Sequence, residues 1–155
     1  DGYWKTYSNR HFKVDNDDIT NSKIKEKFQF ATCLSVLEHI PNHRSAIINI
    51  HNLLEKDGYL ILTFPYNENE YHENIYKHPN AGYGQNSSFI TQVFSRKEID
   101  DWLSDTSFEI VDQEYYQVFT GNMWTIGERI APCIQTTNSE LHHLTCILLQ
   151  KKGKL

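Results

Sequence analysis

His39 is a candidate for proton transfer, because the ordinary pKa of an imidazole lies near neutral pH. The alternative role for this side chain is structural, with the ring hydrogen-bonded to nearby backbone. His43 follows four residues later, a spacing that would place both rings on one face of a helix. Pro41 lies between them and breaks such a helix, so the sequence predicts no metal site at this pair.

His39 lies within a strand–helix–strand pattern that runs from Phe28 to Tyr66. The apolar run over residues 30–34 is typical of a strand that is buried on both faces. Residues 59–64 favour a second strand, which Pro65 ends because proline has no amide hydrogen to donate. Two buried strands that are joined by a crossover helix pair in parallel, with a right-handed connection.

The helix of this unit is predicted to begin after Pro41, with Asn42 as its N-cap. Its apolar residues recur at helical spacing and form one stripe. They are Ala46, Ile47, Ile50, Leu53 and Leu54. Gly58 is placed to end the helix in a left-handed conformation, which only glycine adopts without steric cost.

The two predicted strands indicate where to look for a function. Ligands of open parallel sheets bind beyond the carboxyl ends of the strands. Those ends carry Cys33-Leu34-Ser35 in the first strand and Phe64-Pro65-Tyr66 in the second. We therefore expect the functional site at these residues.

Composition narrows the class of protein. With 155 residues, 39% hydrophobic and 23% charged, the chain is expected to form one soluble globular domain. The net charge of -5 argues against nucleic acid as a partner, since phosphate binding needs a clustered basic surface. No apolar run is long enough to span a membrane. The three cysteines are odd in number and predict reduced thiols in a cytoplasmic protein.

A long polar segment, residues 67–92, follows the second strand and is rich in rings. Segments of this length inside compact domains tend to be either functional or disordered. Two interpretations therefore stay open, a lid over a bound molecule and an exposed flexible loop. The candidate lid residues are Tyr66, His72, Tyr76, His78 and Tyr83. The Gly82-Tyr83-Gly84 sequence follows no predicted strand, so it is not interpreted as a phosphate-binding loop.

Further elements flank the central unit. Residues 12–15 alternate apolar and polar side chains and predict a short strand. Ser95 and Glu98 form a capping box that predicts the start of a helix. Residues 108–111 and 144–149 have the composition of strands.

Residues 115–140 are ambiguous. Residues 115–119 either prolong the strand that begins at Phe108 or form a second one. Residues 124–130 are predicted as a short helix that Pro132 ends. Together the elements predict an α/β domain in which helices pack on a mostly parallel sheet.

The order and spacing of several motifs resemble class I S-adenosylmethionine-dependent methyltransferases, of the type that acts on small molecules. The motifs are Asp18-Ile19-Thr20, Phe28-Gln29-Phe30, the run from Ser35 to Pro41, Leu53-Leu54 with Asp57-Gly58, Phe94 to Glu98, and Phe108 to Val111. The resemblance covers most of residues 12–150, without the 67–92 segment. It implies a Rossmann-like sheet whose last strand is antiparallel.

The resemblance also implies roles for individual residues. Asp18 and Ile19 match the pair that contacts the adenine of the cofactor, S-adenosylmethionine. The cofactor would also contact the strand end Cys33-Leu34-Ser35, with His39 as the catalytic residue. The acceptor, a small molecule, would contact Tyr66, His72 and Tyr83. Methyl transfer by in-line displacement depends mainly on proximity and alignment.

Three departures from the family pattern bear on activity. Gln29 and Asp57 stand where the family usually has Asp and Gly. The larger departure is that no glycine-rich cofactor loop follows a strand anywhere in the sequence. The chain therefore resembles a partial, N-terminally truncated methyltransferase domain over residues 1–155, divided into 12–66, the insertion 67–92, and 93–150.

Two functional interpretations follow from the missing loop. One is an active methyltransferase, and the other is a non-catalytic fragment or accessory module that self-associates without cofactor. A nicotinamide-dependent enzyme is disfavoured, because its glycine-rich fingerprint is missing as well. Without the family's first strand, one edge of the 30–34 strand would lack a partner. We expect residues 12–15 to close that edge, or a second copy to pair with it as a homodimer.

Overall fold

The computed structural model describes residues 11–153, which form two α-helices and one five-stranded sheet. The strands are β1 (Phe28–Leu34), β2 (Leu54–Pro65), β3 (Phe108–Phe119), β4 (Arg129–Thr136) and β5 (Leu144–Lys151). The helices are α1 (His43–Leu53) and α2 (Arg96–Asp105), with short 3₁₀ helices at Ile19–Asn21, Leu37–His39 and Ile75–Lys77. Neither α-helix has the length and apolar character that a membrane crossing requires.

The sheet has the strand order β1-β2-β5-β3-β4. β1 and β2 are parallel, whereas β5 is antiparallel to both of its neighbours, β2 and β3. β1, β2 and β3 therefore run in one direction, and the last strand lies between two of them in the opposite direction. This arrangement confirms the predicted α/β class and the antiparallel last strand.

The two helices begin where the capping residues predicted. The Asn42 side chain accepts a hydrogen bond from the Ser45 amide at 3.3 Å, and Ser95 and Glu98 form the capping box of α2. Both helices bury one face against the sheet, as their apolar spacing requires. The core between them includes Phe64 and Trp102, whose ring centroids lie 5.5 Å apart.

The predicted role of Gly58 is wrong. Helix α1 ends at Leu53 and the chain passes directly into β2, so Gly58 is a buried strand residue. Asp57 takes the left-handed conformation instead, with a φ of 63°. A Cβ atom on Gly58 would lie 3.1 Å from the carbonyl oxygens of Gln29 and Glu55. Glycine is therefore placed here for the close approach of β1.

The predicted strand over residues 12–15 is also wrong. Residues 13–18 are irregular, and within the described part of the chain β1 pairs with β2 alone. Among residues 11–153, one side of β1 therefore has no partner strand for its amides and carbonyls. Pairing with a second copy remains a prediction.

The C-terminal half resolves both ambiguities of the sequence. β3 is one continuous strand, so residues 115–119 prolong it. The predicted helix at 124–130 is wrong, because residues 129–136 form β4, which is antiparallel to β3. Pro132 lies inside β4, after a cis peptide bond. An edge strand tolerates proline because the missing amide faces no partner strand.

The 67–92 segment is packed against the rest of the domain. Ile75 is fully buried in a small cluster with Val93 and Met123. His72 forms an isolated bridge with Val93, with a hydrogen bond from the His72 amide at 2.9 Å. The interpretation as an exposed flexible loop is therefore wrong for this part of the segment.

Candidate active site

An apolar groove of about 330 Å³ lies between β1, α1 and the 3₁₀ helix at Ile19–Asn21. Three of the predicted cofactor residues, Ile19, Cys33 and Leu34, line it. They come from two separate segments, and the parallel pairing of β1 with β2 places the strand end beside the 3₁₀ helix. The structure thus brings these three residues together.

Asp18 lies next to this groove and holds the 3₁₀ helix in place. Its carboxylate accepts hydrogen bonds from the amide of Thr20 at 2.9 Å and from its hydroxyl at 2.8 Å. The Asn49 amide of α1 donates to the Thr20 carbonyl oxygen at 3.0 Å. These bonds fix Ile19 at the groove wall, with the exposed carboxylate of Asp18 beside it.

The Cys33 thiol forms part of an apolar wall. Burial, together with the nearby charge of Glu38, raises its pKa to about 11. The side chain is therefore a neutral thiol at physiological pH and not a nucleophilic thiolate. Its role at the groove is packing.

Ser35 does not line this groove, although it directly follows Leu34. Its φ is 50°, and its amide donates to both the carbonyl and the hydroxyl oxygen of Thr63, each at 3.0 Å. Ser35 itself is turned out of the groove lining, which the chain rejoins at Val36 and Leu37. Ser35 instead lines a second cavity, which the sequence did not predict.

This second cavity has a volume of about 310 Å³ and is called the Arg129 cavity below. It lies where β1 and β3 end and where β4 and β5 begin. The residues that matter for its chemistry are Ser35, Val118, Trp124, Arg129, Cys133 and Leu144. No sequence pattern predicts this cavity, because residues 124–130 are interpreted as a helix in the sequence.

His39 has the structural role that its sequence position allowed, and its role in proton transfer stays a prediction. Its Nδ1 atom lies 2.7 Å from the carbonyl oxygen of Ile90, to which it donates a hydrogen bond. That bond is the expected structural one, and it leaves Nε2 as the unprotonated nitrogen of the neutral ring. The side chain is 37% exposed, so Nε2 is accessible to a ligand.

Glu38 is a further candidate that sequence reasoning missed. Its residue is only 4% exposed, and its Oε2 atom has no hydrogen-bond partner among residues 11–153. Burial raises the pKa of this carboxyl group. The other oxygen lies 4.0 Å from Nε2 of His39. The acidic residue in the Leu-Glu-His run was the signal that the sequence offered for this candidate. Its burial could not be predicted, because it depends on the 3₁₀ helix that follows β1.

Hydrogen bonds from the 67–92 segment hold the region around Glu38 and His39 in place. The Glu38 carbonyl oxygen accepts a hydrogen bond from the Gln92 amide at 2.9 Å. The Gln92 side chain also donates to the Ile40 carbonyl oxygen at 2.9 Å. Together with the bond between His39 and Ile90, these contacts make the 67–92 segment the partner that positions the Glu38-His39 pair.

The predicted acceptor residues do not converge on one cavity. Tyr66 is 1% exposed, and its hydroxyl donates to Glu68 at 2.6 Å. Its ring stacks on His142 with centroids 5.6 Å apart. His72 faces the Glu70 carboxylate, with 3.3 Å between Nε2 and Oε1. These contacts give both side chains structural roles, and their contact with an acceptor stays a prediction.

Tyr83 is connected to His39 by a row of rings. Neighbouring centroids are separated by 4.9 Å (His39–Phe89), 6.2 Å (Phe89–Tyr76), 6.0 Å (Tyr76–Tyr83), 6.3 Å (Tyr83–Phe119) and 5.2 Å (Phe119–Trp124). The row begins at the candidate catalytic residue and ends at the Arg129 cavity. Contact between Tyr83 and an acceptor stays a prediction.

No group of three or more potential metal ligands occurs within residues 11–153.

Comparisons with known proteins agree with this architecture. Residues 4–113 match the sequence profile described as a methyltransferase domain. A stretch of 38 residues is 50% identical to a ubiquinone biosynthesis O-methyltransferase of Glaesserella parasuis; it covers 24% of this chain and 16% of that protein. The chain belongs to the methyltransferase domain family.

Two solved structures show the same fold. An S-adenosylmethionine-dependent methyltransferase from Methanosarcina mazei has a TM-score of 0.59 at 20% identity, over 92% of this chain and 68% of that one. TehB from Haemophilus influenzae has a TM-score of 0.52 at 14% identity, over 87% of this chain. The chain spans only 39% of the length of TehB.

Proposed function

We propose that this chain takes part in S-adenosylmethionine-dependent methylation of a small molecule. The observation that carries the proposal is the groove at the end of β1, where Ile19, Cys33 and Leu34 meet beside the Asp18 carboxylate. Membership of the methyltransferase domain family supports the reaction class. The match to a ubiquinone biosynthesis O-methyltransferase supports a small organic acceptor.

The groove residues fit one end of the cofactor. An apolar slot with a carboxylate at its rim suits adenine, which has an apolar ring face and an exocyclic amine that donates hydrogen bonds. Ile19, Cys33 and Leu34 would hold the ring, and Asp18 would accept from the amine. When bound, S-adenosylmethionine supplies an electrophilic methyl group. The glycine-rich loop that holds the rest of the cofactor in the family is not found in this sequence.

His39 is proposed to serve the acceptor. Its Nε2 atom can take a proton from a hydroxyl or amine, while the Nδ1 bond to Ile90 keeps the ring oriented. The neighbouring Glu38 carboxylate, 4.0 Å away, stabilises the resulting imidazolium when it is ionised. Proximity and alignment supply most of the remaining acceleration in an in-line displacement.

Isothermal titration calorimetry with S-adenosylmethionine and S-adenosylhomocysteine tests the proposal. We expect both compounds to bind, and we expect Asp18→Asn to weaken binding by about tenfold through loss of a charge-assisted hydrogen bond. Asp15→Asn is the matched control, since this exposed carboxylate pairs with Lys13 and does not line the groove. If no binding heat is measured at high protein concentration, the proposed activity of this chain is overturned, whereas the family assignment stands.

The free edge of β1 favours a second candidate function, a non-catalytic module that self-associates through this strand. Large apolar side chains surround that edge, with Phe30 53% exposed, Leu34 51% and Val36 48%. Light scattering over a range of concentrations tests the idea, with Phe30→Lys as the disrupting variant. A monomer at all concentrations would exclude the homodimer.

The three free cysteines suit the predicted cytoplasmic location, which fractionation would check.

A further inference from the structure

We propose that the Arg129 cavity binds a planar aromatic acceptor that carries one carboxylate, with Arg129 pairing with the carboxylate and Trp124 contacting the ring. This inference rests on the proposed methyltransferase function and deepens it by naming the class of acceptor.

Arg129 is the first observation. Arg44 forms an ion pair with Asp105, and Arg96 forms one with Glu68. Arg129 is exposed at the cavity, and its guanidinium forms no ion pair or hydrogen bond with any residue of the 11–153 range. Its planar fork of donors matches a carboxylate in a bidentate geometry.

Apart from Ser35 and Cys133, the remaining walls are apolar. Val118, Leu144 and Pro132 line the same cavity as Arg129. A cavity of about 310 Å³ is at the small end of the range for ligand sites. One cation in an apolar cavity favours a compact ligand with one anionic group. A nucleic acid or an acidic peptide would need several cations.

Trp124 is held in place before any ligand binds. It lies in a tight loop in which Gly121 donates to the Ile126 carbonyl oxygen at 3.0 Å. Thr125 is fully buried with a φ of 68°, and its carbonyl oxygen accepts from the Gly82 amide at 2.8 Å. The insertion therefore fixes the loop that carries the tryptophan. Preorganised aromatic side chains favour planar ligands.

Ser35 links the cavity to the proposed cofactor groove. Cys33 and Leu34 line the groove, and the next residue along the chain lines the Arg129 cavity. Consecutive residues at one strand end therefore line the two cavities, and direct transfer between two bound molecules requires such proximity. The row of rings from His39 to Trp124 approaches the same cavity from the other side.

The test compares benzoate with benzamide, which has the same shape without the charge. Binding to the full chain is followed by nuclear magnetic resonance through the indole N–H signal of Trp124. We expect benzoate to bind at least about tenfold more tightly than benzamide, and Arg129→Gln to abolish this difference. Lys97→Gln is the matched control, because it removes an exposed cation on α2. Circular dichroism verifies that each variant is folded.

Three results would overturn the proposal. They are equal affinities for benzoate and benzamide, unchanged benzoate binding by Arg129→Gln, and no shift of the Trp124 signal at about 10 mM benzoate, which exceeds a dissociation constant of about 1 mM tenfold. If inorganic phosphate competed for the cavity as effectively as benzoate does, the cavity would be an anion site without selectivity for aromatic rings. That result would also overturn the proposal. The experiment needs no cofactor, so failure of the S-adenosylmethionine titration remains a separate result.

Discussion

The Nδ1 atom of His143 lies 3.1 Å from the amide nitrogen of Val118 and accepts its hydrogen. The neutral ring must then carry its own hydrogen on Nε2, which donates to the Gly121 carbonyl oxygen at 2.8 Å. One buried imidazole thereby joins β5 to the end of β3 and to the loop that holds Trp124. A protonated ring would place two N–H groups against each other at Val118.

The first prediction concerns the pH dependence of this bond. Burial lowers the pKa of His143, so the folded state prefers the neutral ring. Its contribution to stability is therefore complete above the ordinary pKa of 6.5 and is lost as the pH falls below it. For the uptake of one proton, this loss in the free energy of unfolding is at most about 1.4 kcal/mol per pH unit.

Urea denaturation of the wild type and of His143→Asn at pH 7.5 and 5.5 measures this loss. Asparagine retains an acceptor but does not titrate, so the variant should lose less stability on acidification than the wild type. Burial also lowers the pKa of His43, which contributes in the same direction in both proteins and cancels in the comparison. An equal loss in both proteins would contradict the assignment.

The second prediction concerns Glu38, whose pKa is shifted in the opposite direction to that of the histidine. Burial raises the pKa of this carboxyl group above 4.5, so the folded state prefers the protonated form. Stability is therefore highest below pH 4.5 and is lost as the pH rises through the folded-state pKa. Glu38→Gln removes the charge, and we expect it to stabilise the fold at pH 7 by about 1–3 kcal/mol.

Thermal or urea unfolding at pH 7 and at pH 4 provides the measurement for Glu38→Gln. The gain should be present at pH 7 and absent at pH 4, where the wild-type carboxyl is already protonated. Glu55→Gln is the matched control on an exposed residue and should have little effect at either pH. A gain of the same size at both values would show that the charge of Glu38 is not its cause.

The third prediction concerns cysteine reactivity. Cys133 is exposed, whereas burial raises the pKa of Cys33 to about 11 and also raises that of Cys146. Because the thiolate is the reactive form, iodoacetamide at pH 7.5 should modify Cys133 first. Mass spectrometry over time follows each site, and Cys133→Ser should remove the fast phase. A fast phase that persists in this variant would contradict the structure.

The sequence predicted the local features of the fold well, because their causes lie within a few residues. The caps at Asn42 and Ser95 each depend on one side chain and one nearby amide. The errors arose where the pairing of strands in the sheet determines the secondary structure. Residues 129–136 form a strand because β3 provides a partner, and no pattern within that segment predicts the pairing.

The cofactor residues named from the sequence stay predictions, although three of them line one groove. Ile19, Cys33 and Leu34 meet because they belong to motifs whose spacing the family fixes. Ser35 departs from them through a positive φ that no sequence pattern requires. Arg129 could not be found from the sequence, since its position at a cavity depends on the formation of β4.

The last prediction separates two adjacent residues, Asp57 and Gly58. In Gly58→Ala the new Cβ would lie 3.1 Å from two carbonyl oxygens and 3.3 Å from a third, all of them backbone atoms of β1 or β2. Backbone in a paired sheet moves only at a cost, so we expect a loss of about 1–3 kcal/mol in the free energy of unfolding. Asp57→Gly should change it by less than about 0.5 kcal/mol, because relief of the left-handed strain and the greater freedom of the unfolded glycine oppose each other. Chemical denaturation of both variants checks the pair. If Gly58 instead ended the helix in a left-handed conformation, the φ at that position would itself strain the alanine of Gly58→Ala. Asp57→Gly would then lower the free energy of unfolding, because glycine destabilises a regular helix end.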